Sequence, residues 1–370
     1  MGRYRAAVIG LGRIASTIDD EIQKYDGVEL PFSHLGCYSR VTEIEVVGLA
    51  DTWEEQRGAA KARWGVEALF GDFRQMLERV QPQIVSICTS TKNRARIIEE
   101  VASGGFGVKA IWAEKPLAIS LEEADRAVDA CRQSGVVLAV NCLRRWRDGF
   151  RLALEMVRDG LVGDPLHVQA LGECHLSHNG SHLLTTLTMF AGARASWVWG
   201  EVEERPAAGE DDDFRGAGYV GFDNGVRGHF RSLANGPNEW AFDVTGSEGM
   251  IRIMRDGQSM EHWTLEGPPP GMRGKGAARR FVPNPHVGRS PGVNALYDII
   301  DCMEKGGTPR CDGQAAREAL EIAIATRESH RRGGVKVDLP LANRTLRIVP
   351  AEVLMGDLPR AIARRRGERS

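Results

Sequence analysis

A lysine with a glutamate before it and a proline after it stands at the end of an apolar segment, in the tetrad Ala113-Glu114-Lys115-Pro116 after Val108–Trp112. Proline disfavours helical backbone at the residue that precedes it, so Lys115 is expected to leave the strand in an extended conformation. Its amine then points to whatever lies above the end of the sheet. A lysine in that position is a candidate proton donor or acceptor.

A glycine-rich turn near the N-terminus predicts a nucleotide cofactor. The apolar segment Arg3–Ile9 leads into Gly10-Leu11-Gly12-Arg13-Ile14-Ala15, which has the G-x-G-x-x-A spacing of a dinucleotide-binding turn. The first glycine permits the tight turn, the second lets the backbone approach a pyrophosphate, and the alanine keeps the next helix close to the strand. The N-terminus of that helix faces the anion. We therefore expect the turn to bind the cofactor through Gly10, Gly12, Arg13 and Ile14.

Asp51 follows the next predicted strand, Ile44–Ala50, and is the candidate partner of the cofactor's ribose. A carboxylate there accepts a hydrogen bond from the 2'-hydroxyl and repels a 2'-phosphate, which favours NAD over NADP. Such an acid usually lies about 20 residues after the glycines, and here the gap is roughly twice that. We attribute the excess to an insertion between Thr17 and Pro31, which is acidic at Asp19, Asp20, Glu21 and Asp26. Without an insertion, Asp51 would be only a surface acid at a strand end.

The first part of the chain alternates short apolar strands with amphipathic helices. The strands are predicted at Ala6–Ile9, Ile44–Ala50, Gln83–Thr89, Lys109–Ala113 and Val136–Val140, and the helices at Glu54–Trp64, Arg94–Ser103 and Leu121–Ser134. Nearly all-apolar strands that alternate with helices are typical of a parallel sheet covered on both faces. Residues 1–142 are therefore predicted to form an α/β domain with a doubly wound parallel sheet.

The pattern changes after Arg144, where longer and alternating strands begin. After a helix over Arg147–Asp159, we predict strands at Leu166–Glu173, Ser196–Glu203, Gly216–Phe222, Gly225–Leu233, Glu239–Thr245 and Met250–Arg255. Asp223-Asn224-Gly225 is typical of a hairpin turn, so this sheet should be largely antiparallel. Helices at Val293–Glu304 and Gly313–Arg331 complete an α+β domain over residues 143–340. Gly267–Gly292 is predicted to be a long loop, and residues 341–370 a C-terminal extension with an arginine-rich end.

Composition narrows the class of protein. The chain has 370 residues, of which 42% are hydrophobic, and a formal net charge of -2, which gives no reason to expect a nucleic acid partner. No stretch of about 18 apolar residues predicts a membrane span. The seven cysteines are scattered, with no C-x-x-C pair, which is typical of free thiols in a reducing cytoplasm.

The sequence resembles the glucose-fructose oxidoreductase, inositol dehydrogenase and rhizopine catabolism (Gfo/Idh/MocA) family from about Arg5 to Leu339. The matching motifs are the glycine turn, Ala50-Asp51, Cys88-Thr89-Ser90, the E-K-P tetrad, Asn141–Trp146 and Gly180-Ser181-His182. The resemblance implies an NAD(P)-binding Rossmann domain and a second domain whose open, mostly antiparallel sheet carries the substrate site and commonly forms the contacts of a homo-oligomer, a dimer or tetramer. It also implies oxidation or reduction of one carbinol of a sugar, an inositol or a sugar nucleotide.

The resemblance also supplies candidate site residues. Lys115 and His182 are the implied proton acceptor pair, and Thr89, Ser90, Glu114 and Lys115 extend the cofactor site. Arg145 and Trp146 follow the last predicted strand of the first domain, so they lie at the domain seam as candidate substrate contacts, and Arg145 could equally be an interdomain salt-bridge partner. Many members carry D-x-G-x-H-x-x-D, whereas this chain has His178 and Thr185 in the two aspartate frames and Arg94 in the frame of a further histidine. His178 could relay a proton or bind a substrate hydroxyl, because its ordinary pKa is near neutrality. It could equally fill space.

Three other functions stay open on sequence alone. Cys174, His175, His178 and His182 cluster as a zinc site would, but Gly180 weakens the helix that this spacing needs. The lost aspartates permit a catalytically silent NAD-binding sensor. An NAD-assisted glycosidase, which oxidises a sugar carbon transiently before elimination, would use the same residues. No sequence rule identifies the sugar itself.

Overall fold

The computed structural model describes residues 4–25, 27–203, 211–233, 240–268, 271, 273–274, 276–284 and 288–350. A six-stranded parallel sheet forms the first half, in the order β3-β2-β1-β4-β5-β6. Its strands are β1 (Tyr4–Ile9), β2 (Ile44–Ala50), β3 (Leu69–Phe70), β4 (Ile84–Ile87), β5 (Ala110–Ala113) and β6 (Val137–Val140). This order is that of the Rossmann fold, and the predicted doubly wound parallel sheet is confirmed.

Seven helices of the described residues connect these strands. They are α1 (Arg13–Ser16), α2 (Ile18–Ile22), α3 (His34–Tyr38), α4 (Glu54–Trp64), α5 (Phe73–Val80), α6 (Thr91–Ser103) and α7 (Leu121–Gln133). All residues of β4 and β5 are buried, because helices cover both faces of the sheet. Their apolar side chains therefore hold the strand ends, and whatever follows each end, in fixed positions.

A nine-stranded sheet dominates the second half, in the order β14-β13-β12-β11-β7-β10-β9-β8-β15. It consists of β7 (Pro165–Glu173), β8 (Ala195–Val202), β9 (Gly216–Phe222), β10 (Arg227–Leu233), β11 (Ala241–Gly246), β12 (Gly249–Met254), β13 (Ser259–Glu266), β14 (Gly276–Val282) and β15 (Val337–Asp338). Only β7 and β10 pair in parallel; the other pairs are antiparallel. The predicted mostly antiparallel sheet is confirmed.

The described residues of the second half also form four α-helices: α8 (Asp148–Arg158), α9 (Gly180–Ala191), α10 (Pro291–Lys305) and α11 (Gly313–Arg331). α9 and α11 pack on one face of the sheet, and α11 also contacts α7 of the first half. Burial alternates along β11 and β12, as expected when helices cover one face of a sheet and leave the other open.

The prediction of a long loop over Gly267–Gly292 is wrong in its central part. β14 lies there and pairs with β13, from Glu266 opposite Gly276 to Met260 opposite Val282. The segment shows no clear alternation because it is an edge strand, held by the backbone ladder and by Arg279, whose guanidinium lies 5.7 Å from the ring of Trp263. β13 itself was not predicted.

Of the predicted C-terminal extension, residues 341–350 run back across the first half. Ile348 is buried and donates its backbone N–H to Ile119, and Arg344 pairs with Asp125 of α7 and Glu321 of α11. The arginine-rich end beyond Arg360 lies outside the described residues, as do Asp26 and Glu239. In the parts of the chain that the structure describes, no helix has both the length and the apolar character needed to span a bilayer.

Candidate active site at the carboxyl ends of the parallel strands

Lys115 lies two residues beyond the end of β5, where its amine faces the start of α9. The Nζ donates to Asn179 Oδ1 at 2.8 Å and to the backbone oxygen of His178 at 3.4 Å. The side chain is partly buried. The fold thus brings the predicted lysine to the segment that carries the predicted histidines, 63 residues later in the chain.

Glu114 lies beneath Lys115, in a buried polar network. Its carboxylate accepts from Asn141 Nδ2 at 2.5 Å and from the backbone N–H of Lys115 at 3.2 Å, and it lies 3.1 Å from His34 Nε2. Burial raises the pKa of Glu114, but the hydrogen bond and charge of His34, the charge of Lys115 and the amide of Asn141 outweigh burial and bring it to about 2. The carboxylate is therefore ionised at neutral pH, and it orients the backbone of Lys115.

His34 completes this network, and sequence analysis gave it no role. Its ring stacks on Trp112 of β5 with centroids 3.8 Å apart, and its Nδ1 lies 2.8 Å from Ser86 Oγ of β4. The ring is fully buried. A histidine in an apolar helix gives no sign in the sequence that it reaches a glutamate 80 residues away.

A second brace holds the E-K-P loop from the side of α6. Arg94 is buried and donates to the backbone oxygens of Pro116 and Thr89 and to Thr91 Oγ1. It therefore ties the loop after β5 to the loop after β4. Arg94, which stands in the frame of the family histidine, is therefore held by hydrogen bonds to these two loops.

His182 lies on the first turn of α9 and faces the same space as Lys115. Burial lowers its pKa well below the usual range for histidine, and the positive charges of Arg144 and Lys115 and the neighbouring His178 lower it further. Its Nδ1 is buried and, within the described residues, has no hydrogen-bond partner. The imidazole is therefore neutral at neutral pH and able to accept a proton.

The loop that carries His178 is held by Asp213. This buried carboxylate accepts from the backbone N–H groups of Ser177 and His178, both at 2.7 Å. His178 is partly buried and close enough to His182 to affect its pKa. Thr185, in the second aspartate frame, is fully buried and donates to the backbone oxygen of Ser181. Its hydroxyl therefore makes a hydrogen bond within α9.

Arg145 and Trp146, predicted as substrate contacts, do not point into this space. The guanidinium of Arg145 donates to the backbone oxygens of Thr185 and Arg310, and the buried indole of Trp146 donates to Asp298. Both belong to a 3₁₀ turn over Leu143–Trp146, in which consecutive side chains point about 120° apart. That turn directs the preceding arginine, and not these two residues, towards the histidines.

Arg144 is that arginine. Its guanidinium lies 3.7 Å from the ring of Trp240, and its Nε donates to Asp256 at 2.7 Å. Trp240 in turn meets His182 edge to face, with centroids 6.4 Å apart. Asp256 also binds Arg147 at 2.5 Å. Trp240 and Arg144 thus form one wall beside His182, and pairing with Asp256 compensates the buried positive charge.

The glycine turn fits a dinucleotide. Gly10 has a φ of +86° and a Cβ there would lie 2.9 Å from the backbone carbon of Cys88, whereas a Cβ on Gly12 would meet no atom within 4 Å. Open space therefore lies above the second glycine, where a pyrophosphate would approach. Thr89 Oγ1 nearby is buried and, within the described chain, lacks a hydrogen-bond partner. Ser90 begins α6 without using its side chain as a cap.

The remaining cofactor candidates lie around this turn. Asp51 returns to it, since its carboxylate accepts from the backbone N–H of Leu11 at 2.7 Å and of Trp53 at 2.9 Å. Arg13 is exposed and pairs with Glu21 at 2.6 Å, while Ile14 packs against the core. The chain therefore leaves the glycine turn and comes back to it at Asp51, in spite of the long spacing between them in the sequence.

Residues 17–33, here called the bridging segment, fill that spacing and reach the second half of the molecule. Asp20 accepts from both Nη atoms of Arg63 in α4, at 2.6 and 2.7 Å. Further along, a Cβ on Gly27 would collide with the side chain of Gln258, and Glu29 lies 3.9 Å from Arg147. The bridging segment therefore connects the cofactor side of the molecule with the wall of the substrate side.

The described residues contain no group of three or more His, Cys, Asp or Glu side chains arranged to hold a metal ion. His178 and His182 lie instead beside Lys115 and Arg144. The cationic surroundings disfavour a divalent cation.

Comparison with known proteins agrees with this architecture. The chain matches two family models: the oxidoreductase family, NAD-binding Rossmann fold, over residues 4–142, and the oxidoreductase family, C-terminal alpha/beta domain, over residues 167–339. It is 27% identical over 358 residues to D-apiose dehydrogenase of Paraburkholderia graminis, covering 90% of this chain and 88% of the relative.

Two further matches span nearly the whole chain. The scyllo-inositol 2-dehydrogenase (NAD(+)) of Bacillus subtilis is 24% identical, with coverage of 90% of this chain and 95% of the relative. The crystal structure of an oxidoreductase from Agrobacterium radiobacter in complex with NAD+, L-tartaric acid and magnesium aligns with a TM-score of 0.72 at 17% identity, covering 91% of this chain and 98% of that chain. With both domains matched in order, the chain belongs to the Gfo/Idh/MocA family of NAD-binding oxidoreductases.

Proposed function

We propose that this protein transfers a hydride between NAD and a carbinol of a sugar, an inositol or a sugar nucleotide. One observation carries the proposal: the amine of Lys115 lies at the start of α9, close enough to the neutral imidazole of His182 to lower its pKa. Oxidation of an alcohol needs a base for the hydroxyl proton next to a hydride acceptor. Bound NAD supplies that acceptor.

The roles of the protein's own groups follow from their charge. His182 is neutral at neutral pH because burial and nearby cations hold its pKa low, so it is able to accept the hydroxyl proton. Lys115 stabilises the negative charge that develops on the oxygen and shares the base role. Glu114 fixes the backbone of Lys115 from below, and Asp213 fixes the loop of His178.

The relatives supply the substrate class. D-apiose and scyllo-inositol dehydrogenases both act, by name, on small polyhydroxylated molecules, and the wall formed by Arg144 and Trp240 suits such a substrate. Ligand sites are lined mainly by apolar and aromatic side chains, with a few polar groups that fix the orientation of the ligand.

The test is NADH formation by the purified protein across a panel of pentoses, hexoses, inositols and nucleotide sugars. The natural chain should form NADH with at least one member of the panel, and Lys115→Ala should lose that activity. Release of an aglycone from a glycoside without net NADH would instead reveal oxidation followed by elimination. NAD binding without turnover of any member of a broad panel would favour a sensor.

Cofactor preference is expected to depend on Asp51. Its carboxylate lies at the glycine turn, where it repels a 2'-phosphate, so NAD should bind more tightly than NADP. Asp51→Ser should narrow that difference, and titration of each cofactor by fluorescence measures it. Equal affinities in the natural chain would remove Asp51 from this role.

His178→Ala is expected to lower turnover and to move the acid limb of the pH profile of kcat/KM to higher pH. The reason is that His178, when protonated, lowers the pKa of His182, so its removal lets that pKa rise. His178→Asp, which restores the commoner family residue, should support activity if this position contacts the substrate hydroxyl. Full activity of His178→Ala with an unshifted profile would exclude a proton relay through His178.

We also propose a cytoplasmic homo-oligomer, a dimer or tetramer, that associates through the open face of the nine-stranded sheet. Trp199 and Phe281 lie on opposite edges of that face and are 47% and 69% exposed, and all seven cysteines are buried free thiols, which suits a reducing compartment. Light scattering should give the mass of a dimer or tetramer, and Trp199→Glu with Phe281→Glu should lower it. A monomeric mass for the natural chain would exclude the association.

A further inference from the structure

Asn179 occupies the position from which side chains usually cap a helix, yet its side chain does not cap α9. It has the N-cap position with φ -84° and ψ -17°, and no side-chain bond to the first turn. Asparagine is strongly preferred at N-caps because its oxygen accepts from the N–H groups there. Here the oxygen lies 2.8 Å from Lys115 Nζ instead.

Other groups have taken over the start of the helix. Gly180 donates to the backbone oxygen of His175 at 2.9 Å, Ser181 to that of Ser177 at 3.0 Å, and His182 to that of Asn179 at 3.0 Å. The first N–H groups of α9 are thus satisfied by backbone oxygens. The amide of Asn179 has no structural duty at the helix end.

We propose that Asn179 is a positioning residue that holds the Lys115 amine towards the reacting carbon through an uncharged acceptor. The inference rests on the proposed oxidoreductase function and goes beyond it, because it assigns the residue that controls the base. Asn179 touches the lysine and not the reacting atoms, so it acts through Lys115. The backbone oxygen of His178 is the second acceptor, and it is uncharged as well.

The charge of the acceptor matters because of the other groups around the amine. The carboxylate of Glu114 from its own loop, the imidazole of His182 and the thiols of Cys142 and Cys174 are close enough to the amine to be affected by its charge. Arg144 and His178 act in turn on His182, and the carboxylate of Asp213 holds the loop of His178. Glu114 is already bonded to Asn141, to His34 and to a backbone N–H. A second carboxylate at the position of Asn179 would favour the ammonium form, whereas an amide orients the amine without doing so.

Asn179→Asp is the informative variant, since it keeps the size and the acceptor and adds a charge. The basic limb of kcat/KM for alcohol oxidation, along which the ammonium form of Lys115 loses its proton, should move to higher pH by about one unit or more. Asn179→Ala removes the acceptor and should lower kcat about 10-fold, less than the 10²- to 10⁴-fold loss expected when a general acid or base is removed. The KM for NAD should stay within a small factor in both variants. Asn343→Ala is the control, because this exposed asparagine accepts only from Thr345 of its own turn among the described contacts.

A readout without substrate separates this inference from the proposed function. Lys115 is acetylated with a small anhydride over a range of pH in the natural chain and in Asn179→Asp, and the modified peptide is quantified by mass spectrometry. The midpoint of labelling should lie at higher pH in Asn179→Asp, whether or not a substrate has been found. Identical midpoints, or an Asn179→Ala protein with full kcat and an unchanged pH profile, would overturn the proposal.

Discussion

Lys115→Ala is expected to lower turnover by about 10²-fold or more, the usual scale for loss of a general acid or base, while NAD affinity changes by only a small factor. The amine donates to Asn179 and to the backbone oxygen of His178, at the start of α9. Removing it therefore takes away the group that acts on the substrate oxygen and leaves the cofactor site in place. Steady-state kinetics and cofactor titration on the same preparation measure both effects.

Lys109→Ala provides the control for this variant. Lys109 immediately precedes β5 but is exposed at the opposite end of the strand, so its loss should leave turnover and cofactor binding unchanged. If Lys115→Ala keeps the turnover of the natural chain, the lysine is structural, and the assignment of an enzyme through the E-K-P tetrad fails.

His182→Ala is expected to lower turnover by between about 10²- and 10⁴-fold, and His182→Gln nearly as much, because glutamine makes hydrogen bonds but cannot take up the proton. The natural chain should also keep its activity well below pH 6.5 on the acid side. Burial, Arg144, Lys115 and His178 hold the pKa of His182 below the usual range, so the base form is present above that low pKa and is lost only as the pH falls through it. The pH profile of kcat/KM from about pH 4 to 8 checks the direction of this shift.

His167→Gln is the matched control. His167 lies in β7 on the open side of the sheet and is partly exposed. It should leave both the rate and the acid limb unchanged. An acid limb near pH 6.5 in the natural chain would contradict a buried, cation-flanked base, even if His182→Ala were inactive.

Sequence analysis predicted the first sheet well because its signals are local. Apolar strands, a glycine turn and a proline after Lys115 each act within a few residues, and the strand ends that they specify place Asp51 and Lys115 at one edge of the sheet. The antiparallel second sheet was predicted from strands with alternating apolar and polar residues and from one hairpin turn. β13 and β14 were missed because an edge hairpin is held largely by backbone bonds.

The parts of the site that were missed are contacts between distant segments. His34 reaches Glu114, Arg144 reaches Asp256, and Asn179 reaches Lys115, and none of these pairs has a signal in its own neighbourhood. The error at Arg145 has a different cause. Two adjacent arginines look equivalent in a sequence, and only their positions in the 3₁₀ turn, about 120° apart, decide which one lies near the histidines.

The bridging segment restricts how this enzyme can be recombined with its relatives. It belongs to the first domain by sequence, but Gly27 and Glu29 lie against Gln258 and Arg147 of the second. A hybrid joined near residue 142 would take this segment from one parent and the surface that receives it from the other. Hybrid enzymes built on this chain should therefore take residues 17–33 and the turn at 255–258 from the same parent, whatever the source of the rest of the cofactor domain.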